Sequence, residues 1–395
     1  MIDKETVLIL GAGSSNEVGF PLGKTLIKNI LDLAAGETIG LHLRSPKDIV
    51  NHSLRNSHLL WRLLDISGEK KEDNGSYSVD DIQKFAADLE DANPPSIDDF
   101  LLSPTKYSLI GKLFILFALS ECEDIRRFQG NKNFGLKWGW YRYLWERLID
   151  DTGKDFKKLK NNRLKIITFN YDRSLEIFLF KAIKAQYNLH DYENKIASFF
   201  DEISIQHVHG KLGIMSWQFN YQQAHRKQPK VINDFTPVTF RDLFPLYDKV
   251  GTFGASEADF GVSQFINDQS RSTFAKEIIE RAKMIRISHE LPLEKEDYRE
   301  IFQKAKRVYF LGFAYHEQNI QALGLDKGNY GTPLSHDIEI HGTAVGKTKK
   351  QIDDIKSYIA SFSRPPEKIN IKNKWDGIDD KESSKITSFL RDVDF

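Results

Sequence analysis

The chain has 395 residues, 40% of them hydrophobic, with 56 Lys plus Arg against 56 Asp plus Glu and a single cysteine, Cys122. A sizeable core is available, and the balanced charge advertises neither a nucleic-acid-binding field nor an acidic solvating tail, so a nucleic-acid role needs a local patch or a partner. One cysteine excludes an internal disulfide framework and a Cys-based zinc module and fits a reducing compartment.

The first predicted element is the apolar run VLIL at 7–10, entered without the basic and apolar stretches of a secretory leader. Gly11 and Gly13 follow in a polar turn, and GKTLIKNILDLAAG then sets Leu22, Leu26, Ile30 and Leu33 on one helical face, with Gly36 as its stop. Strand, glycine turn and helix make the first half of an α/β unit. Residues 40–160 read as a mostly helical insertion with polar joints at SGEKKEDNGSYS and DANPPS. Within it Ser96 caps IDDFLL, and WGWYRYLWERLIDD at 138–151 is an aromatic-rich helix. SLIGKLFILFAL at 108–119 reads as a buried helix, because it is broken by Lys112 and is too short for a membrane span. The expectation is a cytoplasmic protein with no membrane contact.

Four further strands are predicted, LKIITF (164–169), ISIQHV (203–208), RVYFL (307–311) and DIEI (337–340), ending respectively at NYD, HG, GFAYHEQN and HGTAVGKT. A second excursion covers 214–306, and 360–395 forms a C-terminal extension. The pattern predicts a Rossmann-like, doubly wound, mainly parallel α/β sheet with a large helical insertion, a single catalytic domain over 1–395. If the strands are parallel, their carboxyl ends share one crevice, where such sheets bind ligands.

Gly11 and Gly13 let backbone approach a phosphate, and the next helix offers its unsatisfied N–H groups. The dinucleotide fingerprint, however, needs glycine where Asn16 stands, and its acidic partner would be Asp32, inside a helix, which disfavours hydride transfer. Asn170 and Asp172 bring an amide and a carboxylate to a strand end, able to hold a ribose hydroxyl or a water, or simply to form a turn. His207 and His209 share one side of a strand; they are a general base, half of a metal site lacking a third ligand, or a structural pair. From Gly342 to Gly346, Lys347 and Thr348 the sequence is one residue short of a phosphate-binding loop, so an ATPase reading is weak.

Taken in order, GAGSS, TFNYD, HG, LGF and HGTA resemble the sirtuin superfamily, and more narrowly the bacterial sirtuin-like proteins that destroy NAD+ in antiphage defence. The resemblance implies that Gly11, Ala12, Gly13, Ser14 and Ser15 bind the NAD+ phosphates, and that Thr168, Asn170 and Asp172 surround the nicotinamide ribose. It makes His209, which precedes a glycine, the catalytic base. It also places Gly312 and Phe313 along the cofactor, and Gly342 and Thr343 near the adenosine half. SIDDFLL at 96–102 is similar to a segment frequent in the defence proteins, without a role for Asp98 or Asp99.

The departures bear on substrate. Protein-deacylating sirtuins carry four zinc-binding cysteines, a Phe-Arg pair after the opening loop and a glutamine where Phe169 stands; this chain has none of these. The implied activity is therefore hydrolysis of NAD+, as substrate and without zinc, to nicotinamide and ADP-ribose, depleting the cell of NAD+ in abortive infection. The alternatives are an NAD-dependent protein deacylase and a catalytically silent subunit that binds NAD+ or ADP-ribose. By the same resemblance the chain forms a homo-oligomer with a separate HerA-type ATPase, and the aromatic insertion and RPPEKINIKNKWDGIDD (364–380) are candidate contact surfaces.

Overall fold

In the computed structural model six strands among the described residues form one parallel sheet in the order β3-β2-β1-β4-β5-β6. They are β1 Thr6–Leu10, β2 Leu164–Thr168, β3 Ile205–His207, β4 Arg307–Leu311, β5 Glu339–Thr343 and β6 Lys368–Lys372. The structure describes residues 1–35, 46–102, 105–120, 122, 138–187, 192–213, 268–287, 298–325, 338–361, 368–373 and 385–395. Much of the second excursion (214–267 and 288–297) and much of the C-terminal segment (362–367 and 374–384) lie outside the described residues, as does Gly36.

The fold is α/β and Rossmann-like. The order of strands reverses between β1 and β4, the topological switch point at which such sheets gather their ligand-binding turns. Thr6↔Leu164 and Thr6↔Arg307 start the two registers that fix β1 between β2 and β4. All five residues of β1 are buried, as expected of a central strand covered on both faces. Val7, Ile9, Ile167, Val308, Phe310, Ile340 and Ile371 enter one core with Phe302, Ile320, Ile352 and Ile359. The alternate residue Tyr309 instead meets the Phe395 ring, with centroids 4.9 Å apart.

The chain divides into two compact units. The sheet unit comprises Met1–Leu22, Arg126–Asp234 and Glu290–Phe395; a helical unit comprises Gly23–Ile125 and Phe235–His289. Chain order gives the helices α1 Ala12–Asn16, α2 Gly23–Ala34, α3 Pro46–Ser67, α4 Val79–Ala92, α5 Ile97–Leu101, α6 Ser108–Ser120, α7 Gly139–Ile149 and α8 Phe156–Leu159. After β2 come α9 Ser174–Tyr187, α10 Tyr192–Ile203, α11 Asp268–Lys283, α12 Arg299–Lys304, α13 Glu317–Ala322, α14 Lys349–Ala360 and α15 Lys385–Asp392.

In the helical unit, α2 buries Leu26, Ile30 and Leu33 as the spacing predicts, whereas Leu22 precedes the helix and is 44% exposed. α6 is buried from Ile110 to Ser120. Phe85 stacks on Phe114 at 5.4 Å and meets Phe100 and Tyr107 edge-on. Each such buried side chain contributes about 1.5 to 3 kcal/mol. Ser96 caps α5, accepting from the Asp99 amide and donating to its carboxylate at 2.7 Å, so Asp99 serves helix initiation. From the second excursion, α11 packs against α3 and α6. Among the described residues no helix is long and apolar enough to cross a membrane.

Four boundaries differ from the sequence reading. α7 and α8, expected inside the 40–160 insertion, belong to the sheet unit, while α2 belongs to the helical one. Ile203 ends α10 rather than starting β3, because Ser204 takes a left-handed backbone (φ 51) that breaks the helix. β5 starts at Glu339 and runs on through His341 and Gly342 to Thr343, its ladder to β6 holding these polar and small residues. β6 was missed inside the expected extension. Its KINIK alternates polar residues (Lys368, Asn370, Lys372) with isoleucine, and only Ile371 is fully buried, as befits an edge strand.

Candidate active site

Backbone closes the sheet's carboxyl end around the switch point. The Gly11 amide donates to Leu311 O and the Gly13 amide to Gly312 O, both at 3.0 Å, and the Phe169 amide donates to Leu10 O at 2.8 Å. This needs the turns after β1 and β4 to touch without side chains: a methyl on Gly11 would lie 2.6 Å from Gly312 O, and one on Gly13 2.7 Å from the Gly312 Cα. Gly312 itself has φ +59, and a methyl there would lie 2.1 Å from the Ser14 nitrogen. Thr343 steadies this turn, its Oγ1 accepting from the Gly312 amide at 2.8 Å and reaching Phe310 O at 3.4 Å.

On this frame the strand ends after β1 and β2 are joined through side chains. Asn170 Nδ2 donates to Ser14 Oγ at 3.1 Å and to Ser15 Oγ at 2.8 Å, while its amide N–H donates to Thr168 Oγ1 at 3.1 Å. Both serines are buried, so their hydroxyls face Asn170; Ala12 is the exposed residue of the loop. The Ser14 amide and hydroxyl both donate to Gly11 O, and Trp140 Nε1, from α7, donates to Ser14 O at 2.9 Å. Asp172 accepts from the Ser174 amide and hydroxyl at the start of α9, and Ser174 Oγ in turn lies 2.7 Å from Tyr141 Oη. Burial pushes the Asp172 carboxyl up, and hydrogen bonds from Ser174 and Ser15 reverse part of that. Burial and then the Asp172 charge raise the Tyr141 phenol well above its ordinary value.

The two histidines have different surroundings. His209 is 6% exposed, and its Nδ1 is buried with no hydrogen-bond partner among the described residues. Its ring lies against Phe169 at 5.4 Å and Tyr171 at 6.2 Å, the residues on either side of Asn170. His207 is committed: Nδ1 is 2.8 Å from Asn170 O and Nε2 2.8 Å from Glu176 Oε1. Glu176 also receives Arg173 Nε at 2.6 Å, and Arg173 NH1 donates to Gly213 O at 2.8 Å. The sequence reading passed over Arg173 and Glu176. Their signal was two opposite charges three apart in the otherwise apolar run RSLEIFLF.

Burial works to raise the Glu176 carboxyl, but Arg173 and His207 more than reverse this and hold it well below the usual carboxylate range. A depressed folded pKa gives stability that is complete above the unfolded value and is lost as pH falls toward the folded one. Asp172, shifted up, acts in the opposite sense. Glu176→Gln is therefore expected to cost about 3 kcal/mol at neutral pH, since it removes the buried carboxylate that Arg173 and His207 both meet. The loss should shrink below about pH 4, where the wild type loses the same contribution. Urea midpoints measured across that range check it, and a pH-independent difference would refute the assignment.

Beyond β4 and β5 the predicted residues are structural in their contacts. Phe313 is 5% exposed and packs edge-on to Phe169 at 5.1 Å and Tyr315 at 5.3 Å. Tyr315, at φ 58, carries its hydroxyl over Gly342, where a methyl would lie 2.1 Å away. That hydroxyl is buried without a partner among the described residues, and burial drives the phenol far up. Gly342→Ala is expected to cost about 1 to 3 kcal/mol. Tyr315→Phe should cost little or be stabilising, and should restore most of the Gly342→Ala loss. Additive losses in the double mutant, read from denaturation midpoints, would refute the contact. The Gly346-Lys347-Thr348 segment is a helix start, with Thr348 and Gln351 forming a capping box on α14.

The structure thus brings together the predicted residues of the first two strand ends, with His209 against Phe169 and Tyr171, while Phe313, Gly342 and Thr343 build the adjoining frame. The class defined by the fold is a Rossmann-like α/β protein with a polar network at its switch point. In comparisons with known proteins, no family model matches the chain, and no match was found among curated proteins or solved structures.

Proposed function

We propose that this chain is a sirtuin-like NAD+ glycohydrolase of bacterial antiphage defence, acting as a cytoplasmic homo-oligomer with a separate HerA-type ATPase. The observation that carries the reading is His209, a buried imidazole whose Nδ1 has no partner among the described residues, lodged between the aromatic neighbours of Asn170. Buried polar atoms are ordinarily paired, so an orphan nitrogen at a ligand-binding strand end is available to a substrate hydroxyl or a water.

In the proposed reaction the bond between ribose C1′ and the nicotinamide nitrogen breaks, and its electron pair leaves with neutral nicotinamide. Water oxygen bonds to C1′, giving ADP-ribose, and the water's proton is released through a base. The oxocarbenium-like transition state needs a placed nucleophile and charge stabilisation. His209 is the base, Asn170 orients ribose or water, and Asp172, through Ser15, holds Asn170 in place. Phosphate contacts fall to the exposed edge of the loop at Ala12, because the Gly11, Gly13 and Ser14 amides already have backbone partners.

Chromatographic detection of nicotinamide from NAD+, with and without an acylated lysine peptide, tests this. Release from NAD+ alone is expected. Release only with the peptide would make the chain a deacylase, and saturable binding without product would make it a silent NAD+ or ADP-ribose-binding subunit.

A further inference from the structure

Both ring contacts of His207 are to acceptors. Nδ1 meets the Asn170 carbonyl oxygen and Nε2 meets Glu176 Oε1, each at 2.8 Å. The same Oε1 receives Arg173 Nε at 2.6 Å, in a pair whose side chains are 1% and 5% exposed, so the ring bridges the Asn170 backbone to a buried ion pair.

We infer that His207, its ring bridging the Asn170 carbonyl and Glu176, is the positioning residue of the Asn170–Asp172 turn. Asn170 is gripped from two sides: its carbonyl by His207, and its side-chain amide by Ser14 and Ser15. Since Phe169 and Tyr171 flank it and hold the His209 ring, the grip extends to the proposed base. Among the described residues, the charged and titratable groups around the clamp are Glu176 on α9, Arg173 before it, Asp172, and Tyr141 on α7, whose phenol responds to both carboxylates.

The structural part of this inference needs no turnover; only its catalytic meaning rests on the NAD+ reading. The experiment is nitrogen NMR of the full chain labelled at asparagine, without NAD+. In His207→Gln the Asn170 side-chain amide is expected to exchange with solvent at least about tenfold faster, and in Glu176→Gln, which frees the far side of the ring, also faster; unchanged exchange in either folded variant overturns the inference. With turnover measured alongside, His207→Gln should lower kcat for nicotinamide release and leave KM for NAD+ little changed, and a wild-type kcat overturns the catalytic meaning. If exchange rises but wild type releases no nicotinamide, the clamp stands and the glycohydrolase reading fails.

Discussion

Replacing His209 with asparagine is expected to reduce nicotinamide release by a factor of about 10² to 10⁴, the usual worth of a placed general base. The fold should survive. Nδ1 has no hydrogen bond to lose among the described residues, and the change removes only part of a ring packed against Phe169 and Tyr171, a cost of roughly 1 to 2 kcal/mol. Asn170→Ala should be as inactive but less stable, because it removes the amide that donates to the buried hydroxyls of Ser14 and Ser15. Turnover by chromatography, with circular dichroism and urea midpoints on the same samples, separates the two effects. Wild-type turnover in either folded variant would remove that residue from the proposed mechanism.

Gly312→Ala has the largest expected effect on stability. Its φ of +59 alone costs an L-residue about 1 to 2 kcal/mol. The new methyl would also lie 2.1 Å from the Ser14 nitrogen and 2.3 Å from the Gly13 carbonyl carbon, both backbone atoms that no rotamer change can move. Parting the two turns breaks the Gly11–Leu311, Gly13–Gly312 and Gly312–Thr343 hydrogen bonds, each worth about 1 kcal/mol. The sum is about 4 to 5 kcal/mol, a large share of the roughly 5 to 15 kcal/mol that holds a domain folded. Gly324→Ala is the control: it has φ +73 but open space around the added methyl, so only the backbone strain should appear. Equal losses in the two variants would mean that the turns are not in contact.

β1, β2 and β4 were legible because each is a short, mainly apolar run closed by glycine or polar residues, and the carboxyl ends of the strands marked the candidate site. β6 was not, since an edge strand need bury only one side and KINIK offers two isoleucines. The site was legible in its members more than in their partners. Gly11 and Gly13 were read as room for a phosphate, yet a pair of glycines looks the same in sequence whether the approaching backbone is a ligand's or that of residues 312 and 313. Ser14 and Ser15 likewise show hydroxyls in the sequence but not that these turn toward Asn170, more than 150 residues away. Arg173, Glu176 and His207 form one buried cluster across 34 residues of chain, and no local periodicity encodes such a meeting.

The placement of β1 also bears on how the chain is made. It is synthesised before the other strands and ends in the middle of the sheet, yet its neighbours begin at Leu164 and Arg307. At about 5 to 20 residues per second, β4 follows β1 by roughly 15 to 60 s. Throughout that interval TVLIL has an unpaired edge and apolar side chains without their final cover. Loops of this length close slowly, and nascent chains on crowded ribosomes have time to pair with one another through such an edge. The yield of native protein should therefore depend on holding the first ten residues apart until the last third of the chain arrives.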